Sequence, residues 1–196
     1  NQVDKKFFNF PRKNKKYWIA TGRLNFQKNY PMMINAFKRI VEIYPNEKLY
    51  IFGKGELRND IENLIKDLGL EKNVLLKGQT NDVVDALSHA KGFLLSSNYE
   101  GMPNGLLEAH AMGVPCISTD CPCGGPKEVI INQYNGILTK VGDEENFFQA
   151  IKMLCEDDKL MEKFSKNSKI QQILSCNRRK SMLQLIHSSD TFRNHV

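Results

Sequence analysis

The stretch SNYEGMPNGLLEAHAMGVPCIS combines a turn of small residues with the start of a helix. Its glycines, Gly101 and Gly105, accept a positive φ without steric cost, and Asn104 suits the position that caps a helix. The backbone amides of Gly105, Leu106 and Leu107 would then be the unpaired donors of the first turn. Because such amides bind anions, the stretch predicts a phosphate site.

Two glutamates flank this turn, with seven residues between them in EGMPNGLLE. A carboxylate accepts two hydrogen bonds and therefore suits vicinal sugar hydroxyls. Glu108 falls on the first helical turn, where a ribose attached to the phosphate would lie, and Glu100 lies before the turn, on the side of a donor sugar. Both glutamates could also have no role in binding. Glu108 could stabilise the helix dipole, and Glu100 could be a solvated acid in a loop.

Two cations occupy the loop GRLNFQKNY, which follows the first predicted strand. Arg23 and Lys28 lie beyond the carboxyl end of that strand, where a diphosphate would be placed. Each could supply about 4 kcal/mol of Coulomb attraction for a pair about 4 Å apart at an effective dielectric of about 20. Each of these residues alone could be an ordinary surface cation. Because both lie in the same loop, a diphosphate site is as plausible an interpretation as two unrelated surface charges.

The elements that would position these residues follow an alternating α/β pattern. Short apolar runs such as Tyr17–Thr21 alternate with amphipathic stretches at helical spacing. Pro31 suits the first position of a helix, and Gly69 suits a helix end. From Glu144 onward the pattern is helical only. We predict a Rossmann-like, doubly wound parallel sheet of about six strands with flanking helices, which binds ligands at the carboxyl ends of its strands.

Composition narrows the class of protein. The chain has 196 residues, of which 41% are hydrophobic and 26% charged, as in one soluble globular domain. The net charge of +6 favours anionic partners. No recognition signature accompanies the basic runs, however, so we expect no nucleic-acid partner. No apolar run reaches membrane-spanning length, and no signal-peptide pattern is present.

The cysteines and histidines indicate neither a metal site nor a disulfide framework. His110 is expected to be an ordinary helix residue. No paired CxxC spacing or histidine cluster is present, so we predict no metal ion, free thiols and a reducing compartment. The five cysteines are Cys116, Cys121, Cys123, Cys155 and Cys176.

Four motifs in order resemble family 4 of the glycosyltransferases. They are GRLNFQK, FGKGELR, EGMPNGLLE and CGGPKEVI. The paired glutamates alone are a weak signal, whereas the ordered set is a strong one, and the resemblance runs from about Trp18 to Glu156. It implies a retaining enzyme of the GT-B fold, with two Rossmann-like domains around the active cleft. Such enzymes use a nucleotide-sugar donor, and we expect no further cofactor.

The resemblance also implies a role for each matching residue. Arg23 and Lys28 resemble the pair that neutralises the donor diphosphate, while Glu100 and Glu108 resemble the acids beside the donor sugar and the ribose. In CGGPKEVI we expect only a loop shape and a helix start. The other predicted donor-binding positions are Gly22, Gly53 and Gly55 (the last two in the cleft floor), Gly78 and Gln79 near the base, and Gly105 with the amides of Leu106 and Leu107 near the phosphate.

Only one of the two domains is covered by the resemblance. We expect residues 1–15 to be an interdomain linker, 16–175 to bind the nucleotide sugar, and 176–196 to form a helical segment directed toward the other half. The N-terminal GT-B domain would bind a glycan or lipid-linked acceptor, so the fragment should not turn over alone. The implied setting is bacterial surface-polysaccharide assembly, in the cytoplasm or peripherally at the inner face of the plasma membrane.

The sequence is also compatible with other functions. The expected donor is a UDP-sugar, with UDP-N-acetylhexosamine as the first candidate. A nucleotide-sugar epimerase or a phosphorylase could share the fold, although the four histidines form no evident acid–base set. A non-catalytic module that senses nucleotide or nucleic acid is a further possibility, but the aromatic residues do not interleave with the basic ones as a stacking platform requires.

Overall fold

A computed structural model of the chain describes residues 4, 6–13 and 16–171 and contains a single six-stranded sheet. All neighbouring strands are parallel, in the order β3-β2-β1-β4-β5-β6. This order confirms the predicted doubly wound, Rossmann-like sheet. The strands are β1 (Tyr17–Thr21), β2 (Leu49–Phe52), β3 (Val74–Gly78), β4 (Ala90–Leu95), β5 (Cys116–Thr119) and β6 (Gly136–Thr139).

Helices flank the sheet and connect its strands. They are α1 (Lys6–Asn9), α2 (Tyr30–Ile43), α3 (Arg58–Asp67), α4 (Val83–Ser88), α5 (Asn104–Ala111), α6 (Gly125–Val129) and α7 (Glu144–Glu156), and residues 158–171 are also helical. Helix α2 begins one residue before the predicted Pro31. Gly69 ends α3 as predicted: it has φ +67°, and its amide donates to the carbonyl of Lys66 over 3.0 Å.

Two hydrophobic clusters cover opposite faces of the sheet. Trp18 and Ala20 of β1 enter the cluster that contains α2, α3 and α7, whereas Ile19 between them enters the cluster that contains α4, α5 and α6. This alternation follows from the strand geometry, in which successive side chains point to opposite faces. Because both faces are buried, the strands are continuous apolar runs in the sequence.

The centre of the sheet is a topological switch point. From β1 the chain crosses to β2 and β3 on one side, and it then returns to β4 on the other side of β1. Connections diverge at such a point and leave a crevice beyond the carboxyl ends of the strands. The loops that carry Lys28 and Glu100 follow β1 and β4 and therefore meet at this crevice.

Residues within the N-terminal segment 6–13 pack against the rest of the domain. Phe7 of α1 is buried in the second cluster. The guanidinium of Arg12 donates to the carbonyl of Gly113 over 3.1 Å and to the carbonyl of Ala90. Residues 6–13 are thus anchored to the sheet, while the domain limits themselves stay a prediction. The predicted segment 176–196 lies outside the described residues.

Three further features concern membranes, metals and thiols. In the described part of the chain, no helix has the length and apolar character needed to cross a bilayer. Among those same residues, no group of three or more His, Cys, Asp or Glu side chains is placed to hold a metal ion. The cysteines of this part are unpaired: Cys116, Cys121, Cys123 and Cys155.

Candidate functional site

A cleft of about 750 Å³ opens at the carboxyl ends of β1, β2 and β3. Its volume lies within the range of about 300–1,000 Å³ that is usual for small-molecule sites. Five predicted donor-binding residues line it, namely Gly22, Arg23, Gly53, Gly55 and Gln79. The remaining lining residues are Thr21, Phe52, Lys54, Thr80 and Val83.

The glycines of the cleft floor allow two loops to touch. A Cβ on Gly53 would lie closer than 3.0 Å to the carbonyl oxygen of Gly22, and a Cβ on Gly55 would also lie closer than 3.0 Å to the carbonyl oxygen of Leu24. Real Cβ atoms do not approach backbone oxygens so closely. The amide of Gly53 also donates to the carbonyl of Gly78 over 2.8 Å. The loops after β1, β2 and β3 are therefore held together as one surface.

A buried ion pair joins the loop after β1 to the loop after β4. Nζ of Lys28 contacts Oε1 of Glu100, and the two side chains are 14% and 7% exposed. The hydroxyl of Ser97 donates to the same carboxylate oxygen over 2.7 Å. The Lys28 arm also passes Gly22, since a Cβ there would lie 2.8 Å from Lys28 Cε. The residues expected at the diphosphate and at the sugar are thus in direct contact.

Hydrogen bonds fasten these two loops along their length. The hydroxyl of Ser96 lies 2.7 Å from the carbonyl oxygen of Lys28 and 3.0 Å from that of Asn29. The amide of Asn98 donates to the carbonyl of Gln27 over 2.8 Å, and the side chain of Asn29 donates to Oδ1 of Asn98 over 3.0 Å. The ion pair is therefore held on a rigid double loop.

The other two predicted charges have different surroundings. Arg23 is exposed in the cleft, and its side chain has no hydrogen-bond or ion-pair partner within the described ranges. Glu108 is half-buried on α5, and this burial raises the pKa of its carboxyl group, although the nearby charge of Lys6 acts in the opposite direction. Of the two cations, only Lys28 is already neutralised by a carboxylate.

The start of α5 corrects two details of the predicted phosphate site. The capping residue is Pro103, and Asn104 is the first helical residue. The amide of Leu107 donates to the carbonyl of Pro103 over 3.1 Å, so it is not an unpaired donor. The amides of Gly105 and Leu106 precede the first intrahelical hydrogen bond and remain at the helix N-terminus. The side chain of Leu106 is buried in the second cluster.

The glycines around α5 provide space and not an unusual backbone conformation. Gly101 and Gly105 could adopt a positive φ without steric cost, but neither does. A Cβ on Gly105 would lie closer than 3.0 Å to Oγ1 of Thr21, and a Cβ on Gly125 would also lie closer than 3.0 Å to the carbonyl oxygen of Gly101. Glycine therefore lets α5 approach β1, and lets α6 approach the loop that carries Glu100.

A comparison with known proteins identifies the family. Residues 2–171 match the family model described as Glycosyl transferases group 1. The chain belongs to this family. The family resemblance that rests on the four motifs is thereby confirmed.

Individual relatives of this group 1 chain include two curated proteins. An uncharacterized glycosyltransferase of Methanocaldococcus jannaschii is 39% identical over 159 residues, which are 74% of this chain and 39% of that protein. The UDP-Gal:alpha-D-GlcNAc-diphosphoundecaprenol alpha-1,3-galactosyltransferase of Escherichia coli is 35% identical over 159 residues, with coverages of 80% and 40%. The group 1 chain therefore spans about two fifths of the length of these relatives.

Solved structures support the same assignment. A TarM variant of S. aureus, crystallised with fondaparinux, alpha-GlcNAc-glycerol and UDP, superposes with a TM-score of 0.82 at 26% identity. The superposition covers 90% of the group 1 chain and 36% of the TarM chain. The sheet thus matches GT-B glycosyltransferase structures.

A buried polar network connects helix α5 of the group 1 domain to Asn135 and to the helical residues 158–171. Nδ2 of Asn135 donates to Nε2 of His110 over 2.9 Å and also contacts the side chain of Gln171. The hydroxyl of Ser168 donates to the carbonyl of Asn135 over 3.1 Å. Burial lowers the pKa of His110 to about 4. His110 is therefore neutral at physiological pH. Through Asn135 it connects α5 to the helical residues 158–171, a structural role that was not expected for this residue.

Acidification is expected to destabilise the domain through His110. The pKa of His110 is about 4 in the folded state and about 6.5 in the unfolded state. Between these values only the unfolded state binds the proton, so the neutral histidine stabilises the fold fully above pH 6.5, and this stability is lost as the pH falls toward 4. We expect a loss of about 2 kcal/mol between pH 7 and pH 5. Urea denaturation across this range measures it, and His110→Gln should flatten the profile. An equal slope in both proteins would show that His110 is not responsible.

Sequence reasoning missed three residues that shape the site. Ser97 supports Glu100, Thr21 contacts the start of α5, and the buried hydroxyl of Tyr30 lies beside the Lys28 arm. Thr21 and Ser97 follow the apolar cores of two central strands, a position that could have marked them. Tyr30 does not follow a strand, and in the sequence its ring is indistinguishable from the other apolar side chains of α2.

Proposed function

We propose that the chain is the donor-binding half of a retaining glycosyltransferase, which moves a sugar from a UDP-sugar to a glycan or lipid-linked acceptor. The observation that carries the proposal is the cleft at the switch point, with Arg23 exposed in it and Lys28 beside its floor. A cleft at the carboxyl ends of the strands, with one exposed cation in it and a second cation beside its floor, suits a diphosphate flanked by a nucleoside and a sugar.

The relatives support the choice of donor and acceptor. The E. coli relative is named for a UDP-Gal donor and a diphosphoundecaprenol-linked acceptor. The TarM structure holds UDP and alpha-GlcNAc-glycerol. We therefore propose a UDP-sugar, with UDP-N-acetylhexosamine as the first candidate, and an acceptor in bacterial surface-polysaccharide assembly. A lipid-linked acceptor would bring the cytoplasmic enzyme to the inner face of the plasma membrane as a peripheral protein.

The proposed binding mode gives each predicted residue one role. The diphosphate lies between Arg23, Lys28 and the first-turn amides of α5. Glu108 accepts hydrogen bonds from the ribose hydroxyls, and Glu100 faces the donor sugar. The base occupies the part of the cleft beside Gln79, near the end of β3. The N-terminal GT-B domain, which would bind the acceptor, completes the other wall of the active cleft.

The proposed reaction replaces one bond at the anomeric carbon with another on the same face. The bond to the β-phosphate oxygen breaks, and the leaving diphosphate gains negative charge. Arg23, Lys28 and the α5 amides stabilise this charge, as preorganised donors do in an oxyanion hole. The acceptor oxygen bonds to the anomeric carbon, and its proton passes to the leaving phosphate oxygen. Glu100 holds the sugar and supports positive charge at the anomeric centre.

Calorimetric titration of the chain with UDP, UDP-N-acetylglucosamine, GDP and single-stranded RNA tests the proposal. We expect UDP to bind and Arg23→Ala to weaken this binding about 10- to 100-fold, the value of one charge-assisted hydrogen bond. Because Arg23 is exposed and has no partner in the described part of the chain, its loss should change stability by less than about 0.5 kcal/mol.

The matched control for Arg23 is Lys66→Ala, which removes an exposed cation from the last turn of α3. Its UDP affinity should equal that of the unaltered chain. Binding of RNA without any nucleoside diphosphate would overturn the proposal and favour a nucleic-acid-binding module. Equal UDP affinities for Arg23→Ala and Lys66→Ala would remove Arg23 from the site.

A further inference from the structure

The hydroxyl of Tyr30 is an unusual feature of the site. Tyr30 is the first residue of α2, and its side chain is 2% exposed within the first hydrophobic cluster. Among the described residues its hydroxyl oxygen is buried and has no hydrogen-bond partner. An unpaired buried polar group costs free energy comparable to a lost hydrogen bond. A phenylalanine would fill the same core space without this cost, so packing alone does not account for the tyrosine.

The unpaired hydroxyl lies beside the ion pair of the donor site. A Cβ on Gly22 would lie 3.3 Å from the hydroxyl oxygen of Tyr30 and 2.8 Å from Lys28 Cε, so both groups meet the same point of the cleft floor. The carboxylate of Glu100 is near enough for its charge to raise the pKa of Tyr30, together with the larger effect of burial. Tyr30 and Lys28 thus approach Glu100 from neighbouring positions.

Ligand binding would change the number of donors that the Glu100 carboxylate has. In the ligand-free arrangement Lys28 and Ser97 satisfy the Glu100 carboxylate. A diphosphate that recruits Lys28 draws the ammonium away and leaves a buried carboxylate with the Ser97 hydroxyl alone. Such a carboxylate needs a replacement donor, because burying an incompletely paired charge is costly. The Tyr30 hydroxyl is a neutral donor already placed nearby.

We propose that Tyr30 is a positioning residue of the donor site, whose hydroxyl donates to Glu100 when the donor diphosphate draws Lys28 away. This inference rests on the proposed function. The hydroxyl keeps Glu100 oriented toward the sugar while Lys28 is engaged. The Tyr30 hydroxyl is then unpaired in the free protein because its hydrogen bond to Glu100 forms only when the ligand is bound.

The test compares Tyr30→Phe with the unaltered chain by UDP titration and thermal unfolding. We expect Tyr30→Phe to bind UDP about tenfold more weakly, since a hydrogen bond to a charged group is lost only in the complex. Its thermal midpoint should be equal or higher, because an unpaired hydroxyl is removed from the free protein. A lower midpoint would indicate a structural role and overturn the inference.

Tyr17→Phe is the matched control. The Tyr17 hydroxyl donates to the carbonyl of Ala86 over 2.9 Å, away from the cleft. Its removal should lower the thermal midpoint and leave UDP affinity unchanged, the opposite of the pattern expected for Tyr30→Phe. The same change of both properties in the two variants would overturn the inference.

A double-mutant cycle decides whether Tyr30 acts through Glu100. In a Glu100→Gln background, Tyr30→Phe should alter UDP affinity less than about twofold, because no charged acceptor remains. A full tenfold loss in that background would contradict action through Glu100. If the unaltered chain binds UDP and Tyr30→Phe binds it equally well, only the role of Tyr30 fails. If the unaltered chain does not bind UDP, the proposed function fails with it.

Discussion

Replacing Lys28 with methionine is expected to weaken UDP binding about 10- to 100-fold and to destabilise the ligand-free domain. The first effect follows from the loss of a charge-assisted contact to the diphosphate. The second follows because Glu100, whose side chain is 7% exposed, would lose the cation that contacts its carboxylate. Removing one partner of a buried ion pair typically costs about 3–5 kcal/mol. Calorimetry and urea denaturation measure the two effects separately.

The double variant Lys28→Met/Glu100→Gln separates folding from binding. It removes both charges, so it should recover much of the lost stability, since an uncompensated charge is no longer buried. UDP affinity should stay low, because the cation is still absent. Lys38→Met is the matched control, as Lys38 pairs with Glu42 on the exposed surface of α2. If the double variant bound UDP as tightly as the unaltered chain, Lys28 would have no part in diphosphate binding.

Alanine at position 125 is expected to destabilise the domain by about 1–3 kcal/mol, the usual cost of overpacking. The new Cβ would collide with the carbonyl oxygen of Gly101 and lie 3.2 Å from Cδ of Pro103. A backbone atom cannot rotate away as a flexible side chain can. Relief therefore requires a shift of the loop that carries Glu100, and the midpoint of urea denaturation should fall.

Gly101→Ala provides the comparison for Gly125→Ala. Gly101 lies on the other side of the same contact, but its own Cβ direction is open for 4 Å and its φ is not positive. A surface change of this kind is expected to alter stability by less than about 0.5 kcal/mol. Equal denaturation midpoints for the two variants would show that the contact between α6 and this loop is dispensable.

The sequence predicts the sheet well because the signals that define it are local. The run Tyr17–Thr21 is short and apolar, a stretch of helical period follows it, and it forms strand β1 with the predicted limits. The positions of Arg23 and Gln79 in the cleft follow from the same reasoning, since both come directly after parallel strands. A residue placed by its own strand end is predictable from sequence.

Details that depend on contacts between distant loops are less predictable. The pairing of Lys28 with Glu100 joins residues separated by more than seventy positions, and it requires β1 and β4 to be neighbours. The space around Gly125 is likewise set by a loop twenty-odd residues earlier. The error at Leu107 has a smaller cause: a one-residue shift of the helix start turns an unpaired amide into an intrahelical donor.

The attachment of residues 6–13 has a practical consequence for any attempt to isolate the domain. Arg12 caps two backbone carbonyls, one at the start of β4 and one beyond the end of α5, and Phe7 fills the core beside α5. A version trimmed back to Tyr17 would expose those carbonyls and open a groove along the helix that bears Glu108. An excised domain therefore needs to begin upstream of Lys6.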